Sequence, residues 1–287
     1  MKKIALFLFS LFLCFTAGFS IARFRPEIAE LFIKDFTCHR KNSFQKFKPT
    51  LYPSQNHPFV ILIIGENNGA FSEKTIQSAL SQKYENFRII YIDNASIDGS
   101  FEHAQDIVYK NDRCYRVHLI KDEEPLSEIQ NILNAVQSCQ DEEIIVLLNG
   151  EDLLSHEWVL QTLNQYYANP NLWMTVSLYR EFPSFEMGES LVFNKNLRES
   201  SFPSLHLKTF YAALFKQIRE TDFTSDANEL TYLIPLLEMA KDHFQSIPEI
   251  LYLRTRIPSK DPLKEGLCAQ NIQPYEPLSK LFNKKGK

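Results

Sequence analysis

Three short polar stretches carry residue types that could do chemistry: Gly65-Glu66-Asn67-Asn68, Asp93-Asn94-Ala95-Ser96 and Asn149-Gly150-Glu151-Asp152. Each sets a carboxylate beside amides, hydroxyls or glycine. Such polar sets suit a ligand that is itself polar or charged. The local alternative is structural, because Asp and Asn favour turns and helix caps. Other chemistries are excluded. No G-x-G-x-x-G follows the first strand and no Walker A sequence occurs, which removes dinucleotide dehydrogenases and P-loop NTPases. The five cysteines (Cys14, Cys38, Cys114, Cys139 and Cys268) form no C-x-x-C pair, so zinc ribbons and thioredoxin-like sites are also excluded.

Each polar stretch ends an apolar, β-branched run. FVILIIG (59–65), FRIIYID (87–93) and EIIVLLN (143–149) have the continuous apolarity of strands buried on both faces, and RVHLIKD (116–122) reads as a fourth strand. Helical spacing of apolar residues occupies 71–82, 101–111 and 128–139 between them. This alternation predicts an α/β fold: a mostly parallel sheet with right-handed crossovers and flanking helices. Ligands of such sheets bind at the carboxyl ends of the strands, where the three polar stretches fall.

Beyond Asp152 the spacing predicts a helix over 156–168, a strand over 172–179, an irregular stretch over 180–204, helices over 206–218 and 228–240, and a strand over 243–253. Pro235 should start or kink the second of those helices. From residue 255 the chain shows no periodicity and reads as a tail. His206 reads as a structural histidine, and Phe210, Tyr211 and Phe215 as core. The net charge of −4 gives no footprint for nucleic acid. Eight glycines in 287 residues exclude collagen-like and linker-rich classes, and four of them (Gly65, Gly69, Gly99, Gly150) fall in or just beyond the polar stretches.

These residues resemble family 2 glycosyltransferases, inverting nucleotide-sugar transferases of the GT-A (Rossmann-like) fold. That family's first helix ends S-L-L-x-Q-x-Y; here it ends Ser78-Ala79-Leu80-Ser81-Gln82-Lys83-Tyr84. Asp93-Asn94-Ala95-Ser96-Ile97-Asp98-Gly99-Ser100 resembles D-D-G-S-T-D-G-T, and IVLLNGEDLL (145–154) resembles I-x-x-L-D-G-D-D-x-L. HLKTF (206–210) and the segment SDANEL…IPEILYLR (225–254) resemble the family's acceptor half. The D-x-D motif is degenerate: Asn149 replaces its first carboxylate and Glu151 its second. Ser225-Asp226 stands for the usual E-D pair.

The resemblance implies a nucleotide-sugar half at 58–154 and an acceptor half at 155–254. It implies that Asp93 contacts the nucleoside and that Glu66 and Asn68 line the donor. Glu151 and Asp152 would hold a divalent metal, Mn²⁺ or Mg²⁺, and Asp226 would be the general base. The implied reaction transfers a sugar, by family default from a UDP-sugar, to an acceptor hydroxyl on a glycan, lipid or protein. Two alternatives follow from the degenerate motif and from the N-terminus: a catalytically inactive nucleotide- or glycan-binding protein of the same fold, and an exported interaction protein.

The N-terminus carries Lys2 and Lys3 before an uncharged run, residues 4–22. Nineteen such residues nearly span a hydrocarbon core of about 30 Å. The expectation is a single-pass signal anchor, with a lead-in over 23–57. The basic residues Arg23, Arg25, Lys34, Arg40 and Lys41 favour a cytoplasmic body. A cleaved signal peptide and secretion is the alternative.

Overall fold

A computed structural model describes residues 55–69, 71–112, 115–188, 205–223, 228–255 and 273–282. The apolar run at 4–22, most of the lead-in, Asp226 and residues 256–272 and 283–287 of the C-terminal segment lie outside the described residues. No helix among the described residues is long and apolar enough to cross a membrane.

The first half alternates as its apolar runs predict: β1 (Phe59–Gly65), α1 (Phe71–Leu80), β2 (Phe87–Asp93), α2 (Ser100–Asn111), β3 (Val117–Lys121), α3 (Glu128–Gln137) and β4 (Ile144–Asn149). β1 pairs in parallel with both β2 and β4, and β2 with β3. α1 and α2 carry the chain in one direction across the sheet, so right-handed crossovers put them on one face; α3 returns from β3 to β4 and takes the other. With both faces covered, β1 leaves no residue exposed. Ser127 caps α3 by accepting a hydrogen bond from the Gln130 backbone N–H.

The second half extends the same sheet with β5 (Leu153–Leu154), α4 (Val159–Tyr167), β6 (Met174–Phe182), β7 (His206–Tyr211), α5 (Ala212–Phe215), α6 (Glu229–Ala240) and β8 (Phe244–Thr255). The eight strands lie in the order β3-β2-β1-β4-β7-β6-β8-β5. β7 runs antiparallel to both β4 and β6, whereas β6 and β8 are parallel.

Residues 206–218 are a correction: the expected helix is a strand followed by one helical turn. HLKTFYAALF fits either period, and pairing decides. β7 lies between β4 and β6, with Ile144 opposite Tyr211 and Thr175 opposite Thr209. All six of its residues are buried, a setting that favours β-branched and aromatic side chains in strand form. α6 runs through Pro235 rather than starting there. Its N-terminus is capped by Asn228, whose side chain accepts from Leu230 N while Thr231 Oγ1 accepts from Asn228 N.

The segment read as a tail contains a tethered stretch. Leu278 N donates to Met239 O and Tyr275 N to Glu238 Oε2, at 3.0 and 2.9 Å. The Tyr275 hydroxyl accepts from Arg219 N at 2.8 Å and donates to Asp222 Oδ2 at 2.6 Å.

Candidate active site

Strand register assembles the site. Gly65 pairs with Asp93, and Ile64 with Asn149, so the three polar stretches leave the sheet side by side. Asn94 N donates to Gly65 O and Gly150 N to Ile64 O, both at 2.8 Å, which ties the turns together. Gly65 and Gly150 open a slot between β1 and β4 that the Asn68 side chain fills. A Cβ on Gly150 would stand 2.0 Å from Asn68 Nδ2 and 2.6 Å from Gly65 Cα. Asn68 is buried there, and its Nδ2 has no hydrogen-bond partner among the described residues.

Asp93 is wholly buried. Its Oδ2 accepts from Ser96 N at 3.0 Å, while Oδ1 has no partner among the described residues. A buried carboxylate oxygen left unpaired is costly, so it marks a position where a ligand N–H or O–H would be welcomed. Asn94 braces the neighbourhood: its Nδ2 donates to Glu66 Oε2 and to Leu126 O, and its Oδ1 accepts from Leu126 N and Asn131 Nδ2. Glu66 is thus exposed but held at the rim by Asn94. Asp98 is structural. Burial would raise its pKa, but hydrogen bonds from Ser100 and Gly69 outweigh that and hold it below the usual range.

The adjacent carboxylates Glu151 and Asp152 occupy different surroundings. Asp152 is 1% exposed, and both its oxygens are taken: Tyr252 Oη donates to Oδ2 at 2.5 Å and Thr255 N to Oδ1 at 2.6 Å. Glu151 is half-buried, and its carboxylate makes no hydrogen bond to another described residue. Burial raises both pKa values; the charge of Asp152 raises that of Glu151 further, and Arg254 opposes both. Two adjacent carboxylates, one of them already hydrogen-bonded, could hold a divalent cation. No group of three or more His, Cys, Asp or Glu side chains that could enclose one occurs among the described residues. Of the two, Glu151 is the carboxylate that could hold such a cation.

The wall beyond β4 belongs to the second half. His206 is buried, stacked on the Tyr252 ring at 4.5 Å and edge-on to Tyr179 at 4.8 Å. Burial, Lys208 and Arg254 hold its pKa well below the ordinary value, so it is neutral at pH 7. Lys208 Nζ donates to Glu229 Oε1 at 2.9 Å and to Leu205 O at 3.1 Å, joining β7 to the first turn of α6. Asp226 lies outside the described residues; the chain on either side of it is fixed by Asp222 and by the Asn228 cap. Tyr252, Thr255 and Lys208 are the site-forming residues that sequence reasoning missed. Tyr252 sits in the quoted segment IPEILYLR, but nothing in its spacing signals a partner 100 residues earlier.

A separate cavity of about 490 Å³ lies across β2, β3 and α3, with Ile90, Ile92 and Ile120 among its lining and Arg88, His118 and Asp122 contributing polar groups. It meets the turn after β2 at its edge, through Asn131 and Asp122.

The sheet order, the crossovers and the three turns define a GT-A glycosyltransferase fold. The sequence profile of glycosyl transferase family 2 matches residues 60–218, more than half the chain, and the protein belongs to that family. Among solved structures, Staphylococcus aureus TarS aligns at 12% identity and a TM-score of 0.55, over 70% of this chain and 37% of that one. TarS 1-349 in complex with UDP-GlcNAc aligns at 12% identity and 0.53, over 75% and 61%. The mannosyltransferase PcManGT from Pyrobaculum calidifontis, in complex with GDP-Man and Mn²⁺, aligns at 13% identity and 0.53, over 82% and 65%. The chain thus spans between about a third and two thirds of the length of these proteins, and at such identity the likeness shows the fold. No curated protein matches the sequence.

Proposed function

We propose that this glycosyltransferase moves a sugar from a UDP-sugar to an acceptor hydroxyl with inversion, at the carboxyl ends of β1, β2 and β4. The observation that carries the reading is the register that brings Asp93, whose buried Oδ1 has no partner among the described residues, to the same end of the sheet as the turn bearing Glu151, with β1 between them. Asp93 accepts a hydrogen bond from the nucleoside. Asn68 and Glu66 line the diphosphate side of the same mouth, where Gly65 and Gly150 make room for the Asn68 side chain. Glu151 would hold a divalent cation, with Asp152 as a fixed charge behind it. When bound, that cation neutralises the charge developing on the departing diphosphate.

Asp226, just before α6, takes the proton of the acceptor hydroxyl on the face opposite the leaving group. Asn149 in place of a carboxylate lowers the negative charge of the turn. The apolar run at 4–22 anchors the enzyme, with its body on the cytoplasmic side, where nucleotide sugars are made.

A panel of nucleotide sugars with Mn²⁺, read by nucleotide release and by the anomeric configuration of the product, tests this. Release from a UDP-sugar with inverted product is expected. Donor binding without release across the panel would assign the inactive binding role that Asn149 suggests, and a retained configuration would overturn the mechanism.

A further inference from the structure

We propose that Tyr252 is a positioning residue for this reaction: its hydroxyl fixes the Asn149–Asp152 turn and thereby sets where Glu151 presents its carboxylate. The inference rests on the metal-assisted reading above.

The Tyr252 hydroxyl reaches both ends of the turn. It donates to Asp152 Oδ2 at 2.5 Å and accepts from Asn149 N at 3.4 Å. Its own position is set by pairing, stacking and burial. Backbone pairing places Tyr252 opposite Leu154, its ring stacks on His206 at 17° between planes, and the residue is 1% exposed. Thr255, three residues on, completes the hold: its N–H bonds Asp152 Oδ1 and its hydroxyl bonds the Glu151 carbonyl. Two donors converge on one buried carboxylate, and an amide at residue 152 would present only one acceptor to them. Asp152 therefore has no freedom to turn outward, and Glu151, its neighbour in the chain, is aimed from a fixed backbone. Hydrogen bonds to a charged group are among the stronger ones, and misplacing a ligand by about 1 Å can cost about a hundredfold.

Tyr252→Phe removes one oxygen and keeps the ring on His206. In the full chain, UDP affinity measured by calorimetry with Mn²⁺ is expected to fall about tenfold, the loss of one charged hydrogen bond. Affinity without metal should stay unchanged. Tyr167→Phe is the control: it deletes an equally buried hydroxyl, bonded to Thr209 at 2.8 Å, and should leave Mn²⁺-supported affinity as in the wild type. An unchanged Mn²⁺-supported affinity in Tyr252→Phe, or an equal fall in both variants, overturns the proposal. If Tyr252→Phe fails to fold, Thr255→Ala takes its place and must show the same metal-selective loss; unchanged affinity there overturns it equally. Wild-type protein that gains nothing from Mn²⁺ overturns the functional reading itself, and the role of Tyr252 with it.

Discussion

At the residue scale, the site separates charges that hold the fold from charges that face a ligand. Asp152 belongs to the first kind in its contacts and serves the second through its neighbour. Asp152→Ala should abolish turnover while circular dichroism shows the fold retained; unchanged turnover would remove it from the site. Gly150 makes a complementary prediction. A methyl there meets the backbone of Gly65 and Ile64 at 2.6 and 2.9 Å, which cannot swing aside as a side chain can. Gly150→Ala should cost about 1–3 kcal/mol in chemical denaturation, the usual penalty of overpacking. Arg88 and Glu143 show the opposite arrangement, a two-pronged ion pair at 2.8 and 2.9 Å. Burial would raise the pKa of Glu143, but the bonds from Arg88 and Gln140 hold it below the usual carboxylate range. A depressed carboxylate stabilises the fold above its unfolded pKa and loses that contribution as pH falls through the folded one. Stability of the wild type should therefore decline in acid below about pH 4.5, and Glu143→Gln should flatten that part of the profile.

At the element scale, the parallel half was legible in the sequence, as were α4, β6, α6 and β8 of the second half, and β7 was not. β1 and β4 are near-continuous runs of Ile, Val and Leu, and β2 is an Ile and aromatic run broken by Arg88, because helices cover both their faces, so burial wrote itself into composition. In β7, His206, Lys208 and Thr209 interrupt such a run. Each is buried against a specific partner (Tyr252, Glu229, Thr175) that no local pattern reveals. The same limit hid the Tyr252–Asp152 contact. Asp93, Glu151 and Asp152 were legible as candidates because strand ends collect ligands, yet only the structure distinguishes an open carboxylate from a spent one. The Lys208–Glu229 pair carries an element-scale prediction. With the Lys208 side chain 8% exposed and that of Glu229 26%, Lys208→Ala would leave a mostly buried carboxylate unpaired. The expected cost is about 2–4 kcal/mol, somewhat below that of a fully buried pair, measured by urea denaturation. Lys208→Ala with Glu229→Gln should recover part of it.

At the scale of the molecule, one sheet carries both halves of the enzyme, and the C-terminal stretch is part of its frame. Tyr275 bridges Arg219 and Asp222, with the Arg219 guanidinium 4.1 Å from its ring centroid, and so secures the chain just before Asp226. Phe282 adds an edge contact to Tyr211 at 5.1 Å. Truncation after Ile272 should lower the melting temperature by several degrees, roughly what the loss of 1–2 kcal/mol does to a domain of this size. It should also lower turnover more than UDP affinity, because the stretch braces the chain next to Asp226, the proposed base. An unchanged melting temperature would show that the stretch contributes nothing.

Central to the proposed mechanism is a donor site completed by a cation at Glu151. Its most direct test is the calorimetric titration of UDP into the full-length protein, with Mn²⁺ and again with a chelator. Saturable binding with Mn²⁺, weakened at least about tenfold by the chelator, is predicted, since one protein carboxylate and a diphosphate must share the metal between them. UDP binding that the chelator leaves unchanged, or no binding under either condition, would contradict it.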